Sequence, residues 1–283
     1  HGNCQLCQKA YFMSRHSYIK RPNRPLQIYA ALFLVVLYVP VLFLPLFSFN
    51  TSIYVKFPLT GFTFQWYVEL MDREPVWAAL MNSLRVGVTT SVISTGFGIF
   101  AAKAITRYRL PGKGPLVGFI MLPLVVPGII FGVALLVLIS RLGIPLSLVT
   151  VTIGHVIVCL PFAIATMIPR FEGFDPSVEE ASADLGENAW WTFWRITFPM
   201  AFPGILASLL LTFTVSFDEF IMAFFLSGTD PTLPMYIWSQ LRFPKEFPSI
   251  LALASIILVV SFAMVLLGQW INRDAQATAS KSE

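Results

Sequence analysis

The sequence predicts an all-α integral membrane fold of about six transmembrane helices, and three observations carry that prediction. Hydrophobic residues make up 56% of the 283-residue chain and charged residues only 12%, with a mean hydropathy of +0.73. A water-soluble domain carries about 25% charged residues, so lipid must be the solvent for much of this surface. The apolar residues fall into six runs of about 20 residues, the length a helix needs to cross the hydrocarbon core. Lysine and arginine gather on one side of the topology those runs define. Backbone groups in lipid have no water to bond, so open-ended spans must be helical.

Taken in order, residues 1–27 form a cytoplasmic N-terminal segment. Cys4 and Cys7 make a C-x-x-C near His1 and His16, but no second ligand pair follows at zinc-site spacing. The pair is read as part of a tag or leader ahead of Met13, and no metal site is expected. Three cysteines make no disulfide framework, and Cys159 reads as a small core hydrophobe. The first apolar run, 28–49, is too long for a cleavable signal peptide and has no small-residue cleavage site after it. The second run is 86–106, with Lys103 near enough to its end to snorkel. Runs 115–139 and 145–168 supply the third and fourth spans. The fifth, from 199 to about 226, is interrupted by Asp218 and Glu219, and the sixth is 249–271. Prolines at 40, 45, 123, 127 and 161 predict kinks. The stretch 51–82 holds Trp66, Tyr67, Leu70 and Met71 at helical spacing, predicting a short helix in the membrane interface. The transmembrane body thus spans 28–271, and 272–283 is a cytoplasmic tail whose low-complexity part, 275–283, is read as disordered.

Six spans place both termini on one side. That side receives Lys9, Arg15, Lys20, Arg21 and Arg24, then Lys103, Arg107, Arg109 and Lys113, then Arg170 and Arg195, and finally Arg273 and Lys281. The other side keeps Lys56, Arg73, Arg85, Arg141, Arg242 and Lys245. The richer side is cytoplasmic by the positive-inside rule. A net charge of +4 with no basic stripe interleaved with aromatics excludes nucleic acid as the partner.

The cytoplasmic connection 169–198 is unlike a passive linker. Asp175 is suited to cap a helix, Pro176 to open it, and Glu179 and Glu180 to complement its dipole. Val178, Ala181 and Leu185 fall on one narrow apolar face. Gly186 is placed to end the helix in a left-handed cap, and Asn188 to cap a second short helix over 189–196, which Pro199 follows. A small helix braced by a second one on the membrane surface reads as a docking element, or else as an ordinary re-entrant connector.

The spacing Glu180-Ala181-Ser182, three residues, Gly186, nine residues, Ile196, one residue, Phe198-Pro199 resembles the E-A-A-x3-G-x9-I-x-L-P loop of type I ABC importer permeases. Ser182 stands in place of the second alanine and Phe198 in place of leucine. Further similarity lies in Gly61-Phe62-Thr63 with Trp66-Tyr67, Gly154-His155, Cys159 to Phe162, Gly173-Phe174-Asp175, Phe213 to Glu219, and Thr232-Leu233-Pro234. These resemble the spermidine/putrescine branch, its PotC-like subunits above all, from about residue 28 to 273. The resemblance implies a multi-pass permease in the bacterial cytoplasmic (inner) membrane. It implies as partners two copies of an ABC ATPase subunit, a sister permease that is a different chain, and an external solute-binding protein. The ATPase-coupling residues it implies are Glu179, Glu180, Ala181, Ser182, Asp184, Leu185, Gly186, Ile196 and Pro199. The solute it implies is a polyamine, the other candidates being another amine, 4-aminobutyrate, an opine or an aminophosphonate.

No G-x-x-x-x-G-K-[ST] loop is present, and no nucleophile–base constellation, so the chain is expected to be no enzyme and to hold no cofactor. The resemblance assigns ATP and Mg to the partner ATPase. Asp218 and Glu219 inside an apolar run read either as a cation-attracting element of the substrate pathway, with Ser216, Tyr236 and Trp238, or as a structural network or wet outer position. His155 reads as a packing or hydrogen-bonded histidine, and Trp190, Trp191 and Trp194 as interfacial anchors. An ion-coupled secondary transporter is the distant alternative. It would show paired broken helices in inverted repeats, which the two halves do not display.

Overall fold

The computed structural model describes residues 24–109, 111–260, 262 and 263. Among these residues the backbone is helical almost throughout, with an isolated antiparallel bridge between Asn50 and Phe62 and no named strand. Cys4, Cys7, His1, His16, the 272–283 tail and the end of the sixth predicted span lie outside the described residues. The chain divides into two compact units, one built from residues up to 70 and from 244 onward, the other from residues 71–243.

In the first unit, α1 (Arg24–Ser48) realises the first predicted span, with Pro40 and Pro45 inside it. Its apolar side chains from Leu26 to Phe43 are almost all exposed, as a lipid-facing or partner-facing helix requires. The loop beyond it is pinned by Asn50, whose Oδ1 accepts from the Thr60 backbone N–H at 3.1 Å and its hydroxyl at 2.9 Å. The predicted interfacial helix exists as α2 (Gln65–Met71), but it is not free to lie in the interface alone. Trp66 and Leu70 are buried, the Trp66 indole N–H donates to the Asn50 carbonyl at 2.7 Å, and the Tyr67 ring stacks on Phe49.

The second unit is organised by three long helices. The helix α3 (Glu74–Arg107) begins well before the predicted 86, because Glu74 and Pro75 open it where a first turn favours them. The predicted single span 115–139 is a correction: it is two helices, α4 (Lys113–Val125) and α5 (Gly128–Arg141), bent by 102°. Val126, ahead of Pro127, is extended at ψ 130°, since a proline ring clashes with a helical residue before it. Pro127 then caps α5, so the helix breaks at this proline where a kink alone was expected, while Pro123 stays inside α4. The fourth span is α6 (Leu148–Glu172), opened by a reciprocal Ser147–Thr150 capping box.

The fifth predicted span is likewise corrected at its start. A short turn, α7 (Ser177–Asp184), precedes α8 (Ala189–Thr192), which runs through a π-turn at Phe193–Thr197 into α9 (Phe198–Asp218). Ala189–Asp218 is therefore one continuous helix. Pro199 does not begin it. Having no N–H and clashing with the carbonyl four residues back, Pro199 is accommodated by widening the preceding turn to i→i−5, seen as the Phe198 N–H on the Phe193 carbonyl. Beyond Asp218 the helix breaks, and α10 (Ile221–Leu226) and α11 (Leu233–Gln240) follow. Among the described residues four helices, α1, α3, α6 and Ala189–Asp218, are long and apolar enough to cross a membrane, or five if the bent pair is one span. The described part of the sixth predicted span is α12 (Phe247–Val260).

Helices α3, α6 and α9 pack on one another along their lengths. One apolar cluster joins Val86, Val151, Met222 and Leu226, and a second joins Ile99, Ala102, Met167, Phe171, Ala201 and Ile205. Between them lies a band of buried polar groups. Thr95 and Ser208 hydroxyls meet at 3.0 Å, the Ser94 hydroxyl donates to the Val156 carbonyl at 3.5 Å, and the Cys159 thiol lies 3.6 Å from the Thr212 carbonyl. Interhelical hydrogen bonds of this kind hold spans together where lipid removes the hydrophobic drive.

Candidate functional site

The loop 169–198 is folded by local rules. The Asp175 carboxylate accepts from the Ser177 backbone N–H at 3.0 Å, which opens α7 and holds the Asp175 carboxyl below its usual value. At the other end Glu187 N–H reaches the Ser182 carbonyl and Gly186 N–H the Ala183 carbonyl, with Gly186 at φ +87°. That pair of bonds is a Schellman cap, and the left-handed φ is the reason for glycine. The Asn188 side chain accepts from the Trp191 N–H at 3.0 Å and opens α8, as its position predicts.

The two faces of α7 differ sharply. Glu179 and Ser182, three residues apart, face inward. The Ser182 hydroxyl lies 3.0 Å from that of Thr192, both buried, so the serine that replaces the motif's second alanine has a partner within the chain. One Glu179 oxygen accepts from Lys103 Nζ at 3.0 Å and from the Thr197 hydroxyl at 2.5 Å. The other face is open. Leu185 is 86% exposed and Val178 38%, and Glu180, Ala181, Asp184 and Gly186 are exposed with them. The expected apolar stripe Val178–Ala181–Leu185 thus points away from the protein. Ile196 is half-buried in the π-turn, and Pro199 is exposed. Trp190, Trp191 and Trp194 are exposed as well, with the Arg195 guanidinium 4.7 Å over the Trp191 ring and paired to Glu187.

The residues of this site that sequence reasoning missed are the inward partners Lys103, Thr192 and Thr197, together with Arg107, which donates to the Phe174 carbonyl at 3.2 Å. Only the spacing of Lys103 and Arg107, one turn apart near the end of a span, was a visible signal.

Burial works to raise the Glu179 carboxyl. Hydrogen bonds from Thr197 and Lys103 and the charges of Lys103 and Arg107 outweigh it, leaving the group below its ordinary 4.5. A carboxylate lowered on folding adds stability that is complete above its ordinary value and is lost as pH falls through the lowered one. Amide protection of α7, corrected for intrinsic exchange, should therefore hold between about pH 7 and 5 and fall below about 4.5. The Glu179→Gln protein should show no such step, and a wild-type profile flat through that range would discount the charge of Glu179.

The five residues named for a substrate pathway separate. Asp218 ends α9, is exposed, and has no hydrogen-bond or ion-pair partner among the described residues. Glu219 is bound: its Oε1 accepts from the Ile221 and Met222 N–H groups at 2.9 and 3.2 Å and caps α10. Ser216 is buried against His155 Nδ1 at 2.8 Å, which joins α9 to α6 and gives His155 the hydrogen-bonded role. Trp238 on α11 meets Phe220 and Phe224 at 5.7 and 5.3 Å, with the Arg242 guanidinium 4.2 Å from its ring. Tyr236 is half-buried on the same short helix. The fold brings Trp238 to the α9–α10 break and leaves Asp218 there as the open acid.

No group of three or more His, Cys, Asp or Glu suited to a metal occurs among the described residues. The sequence profile of the family described as "Binding-protein-dependent transport system inner membrane component" matches residues 94–276. The spermidine/putrescine transport system permease protein PotC of Escherichia coli (strain K12) is 35% identical over 209 residues, 73% of this chain and 78% of that protein. The putrescine transport system permease protein PotI of the same organism is 35% identical over 214 residues, 73% and 76% of the two chains. Among solved structures, a bacterial ABC transporter involved in the import of the acidic polysaccharide alginate superposes with a TM-score of 0.65 at 20% identity, covering 89% of this chain and 98% of that one. A profile match over most of the chain, a third of residues shared with such relatives and the same helical fold lead to one conclusion: the chain belongs to the binding-protein-dependent transport system inner membrane components, as a membrane permease of the ABC importer type.

Proposed function

We propose that the chain forms half of a translocation pathway for a polyamine, delivered by an external solute-binding protein, with a different permease chain as the other half. Two copies of a separate ATPase bind ATP and Mg and supply the work; this chain performs no hydrolysis. Loop 169–198 and both termini face the cytoplasm, on the positive-inside argument. The observation that carries the proposal is the division of α7. Its polar residues Glu179 and Ser182 are satisfied within the chain, while Val178, Ala181 and Leu185 are presented outward, an apolar ridge suited to a groove on a partner. Closure of the ATPases would push on that ridge, and the spans would rock between inward-open and outward-open states. The polyamine assignment draws on the relatives PotC and PotI, named for spermidine and putrescine, and on the open Asp218.

Asp218 stands at the negative end of the α9 dipole, a place where a carboxylate is disfavoured unless a cation visits it. The decisive experiment is uptake into proteoliposomes carrying the purified assembly. Polyamine should enter only with ATP, and the ATPase should co-purify with the chain. The Asp218→Asn protein should then show about a tenfold higher apparent KM for the cationic solute, the size of one charge-assisted contact. Unchanged kinetics for every substrate tried would remove Asp218 from the pathway, and ATP-independent uptake would reject the ABC mechanism.

A further inference from the structure

We propose that Lys103 and Arg107 are positioning residues of the transport cycle, locking α7 to the span bundle so that the coupling helix, α3 and α9 move as one body. The inference rests on the proposal that α7 receives the ATPase. Without such a lock α7 would be a poor lever. Its two chain connections pass through Gly173–Pro176 on one side and Gly186–Asn188 on the other, short non-helical links about which an eight-residue helix can swivel.

Four contacts oppose that swivel, and each acts at a different point. Lys103 Nζ holds Glu179 Oε1 at 3.0 Å, near the start of α7. The same oxygen takes the Thr197 hydroxyl at 2.5 Å, which ties the start of α7 to the π-turn ahead of α9. Ser182 and Thr192 fix the far end of α7 against α8. Arg107, one turn beyond Lys103, grips the corner before α7 through the Phe174 carbonyl at 3.2 Å. Its Nε is also buried and unpaired among the described residues, so the guanidinium is held in place at the expense of one donor. Lys103 further lies 5.7 Å over the Phe193 ring in the π-turn, so one ammonium touches both α7 and the root of α9.

Movement reaching α3 has a path onward. Gly98 lies so close to α6 that a Cβ there would sit 2.8 Å from that of Ala163, and the Thr95–Ser208 bond joins α3 to α9. A packed interface of this kind transmits displacement because it has no slack to absorb it.

The test uses the full assembly in proteoliposomes, with ATP hydrolysed and solute taken up measured together, and hydrogen exchange of residues 177–187 measured on the chain in detergent. The Lys103→Met protein should assemble yet hydrolyse about tenfold more ATP per solute, and its α7 amides should exchange about tenfold faster, the value of one charged hydrogen bond. Exchanging the partners, Lys103→Glu with Glu179→Lys, should recover most of both losses. A ratio and an exchange rate unchanged in Lys103→Met, or no recovery on exchange, would overturn the lock. If Lys103→Met does not assemble, Glu179→Gln, which keeps its shape and still accepts from Thr197, is measured against the same two outcomes. Should the wild-type chain recruit no ATPase, the proposed function fails instead, while the exchange rates still decide whether Lys103 fastens α7.

Discussion

A Gly186→Trp protein is expected to insert and fold but to lose ATP-driven uptake by roughly ten- to hundredfold. Two effects must be kept apart. Gly186 has φ +87°, so any side chain there costs about 1–2 kcal/mol of backbone strain. The added Cβ, however, meets nothing within 4 Å in this chain, so the tryptophan creates no internal clash. Its bulk projects beside Leu185 and Asp184, from the face offered to the ATPase, where overpacking costs about 1–3 kcal/mol of docking free energy. The Gly186→Ala protein separates the effects, since it carries the strain without the bulk and should keep most of the uptake. Stimulated ATPase turnover is the second readout. Normal transport by Gly186→Trp would mean that this face of α7 touches no motor.

The second large effect concerns the bundle itself. Replacing Gly98 by leucine should destabilise the protein by about 3 kcal/mol or more, the upper part of the range for overpacking. The Cβ would lie 2.8 Å from the Ala163 Cβ and 3.1 Å from its carbonyl carbon, and the second of these is backbone, which yields only if α6 moves. Carbon atoms prefer about 3.5–4.0 Å, so α3 and α6 must part, and the Ser94–Val156 and Thr95–Ser208 bonds beside them are strained with them. Gly96, two residues away, provides the control: a Cβ there meets nothing within 4 Å. Thermal unfolding in detergent should show a lower midpoint for Gly98→Leu and little change for Gly96→Leu. Equal midpoints would show that the close approach of α3 and α6 is not required.

Several of these features were legible because they are decided within a few residues. Asp175, Gly186 and Asn188 end or begin helices through bonds to backbone groups two to five positions away, and the structure places all three where their spacing says. The prolines were legible as disturbances but not as outcomes. A 102° break lies at Pro127, Pro123 stays within a helix, and Pro199 sits beside a widened turn inside a continuous one. A proline removes one hydrogen bond in either case, and the packing around it decides whether the helix bends, widens or ends. Glu219 shows the same dependence on packing. Read from the sequence as either a pathway acid or part of a structural network, it caps the next helix once the chain breaks at that point.

The site around α7 was half visible. Its apolar stripe followed from helical periodicity, but periodicity does not say whether a stripe faces the protein or a partner. Glu179 finds Lys103 across 76 positions, and His155 finds Ser216 across 61. Such pairs depend on how α3, α6 and α9 are set against one another, which no local pattern encodes.

The amino-acid sequence by itself determined that this chain lives in lipid, that it crosses as helices, and where the short helix α7 begins and ends. Those outcomes follow from solvent transfer and from hydrogen bonds closed within a turn or two. Only the tertiary structure decided which face of that helix is satisfied within the chain and which is left outward, because a side chain's exposure is set by the neighbours that packing brings to it.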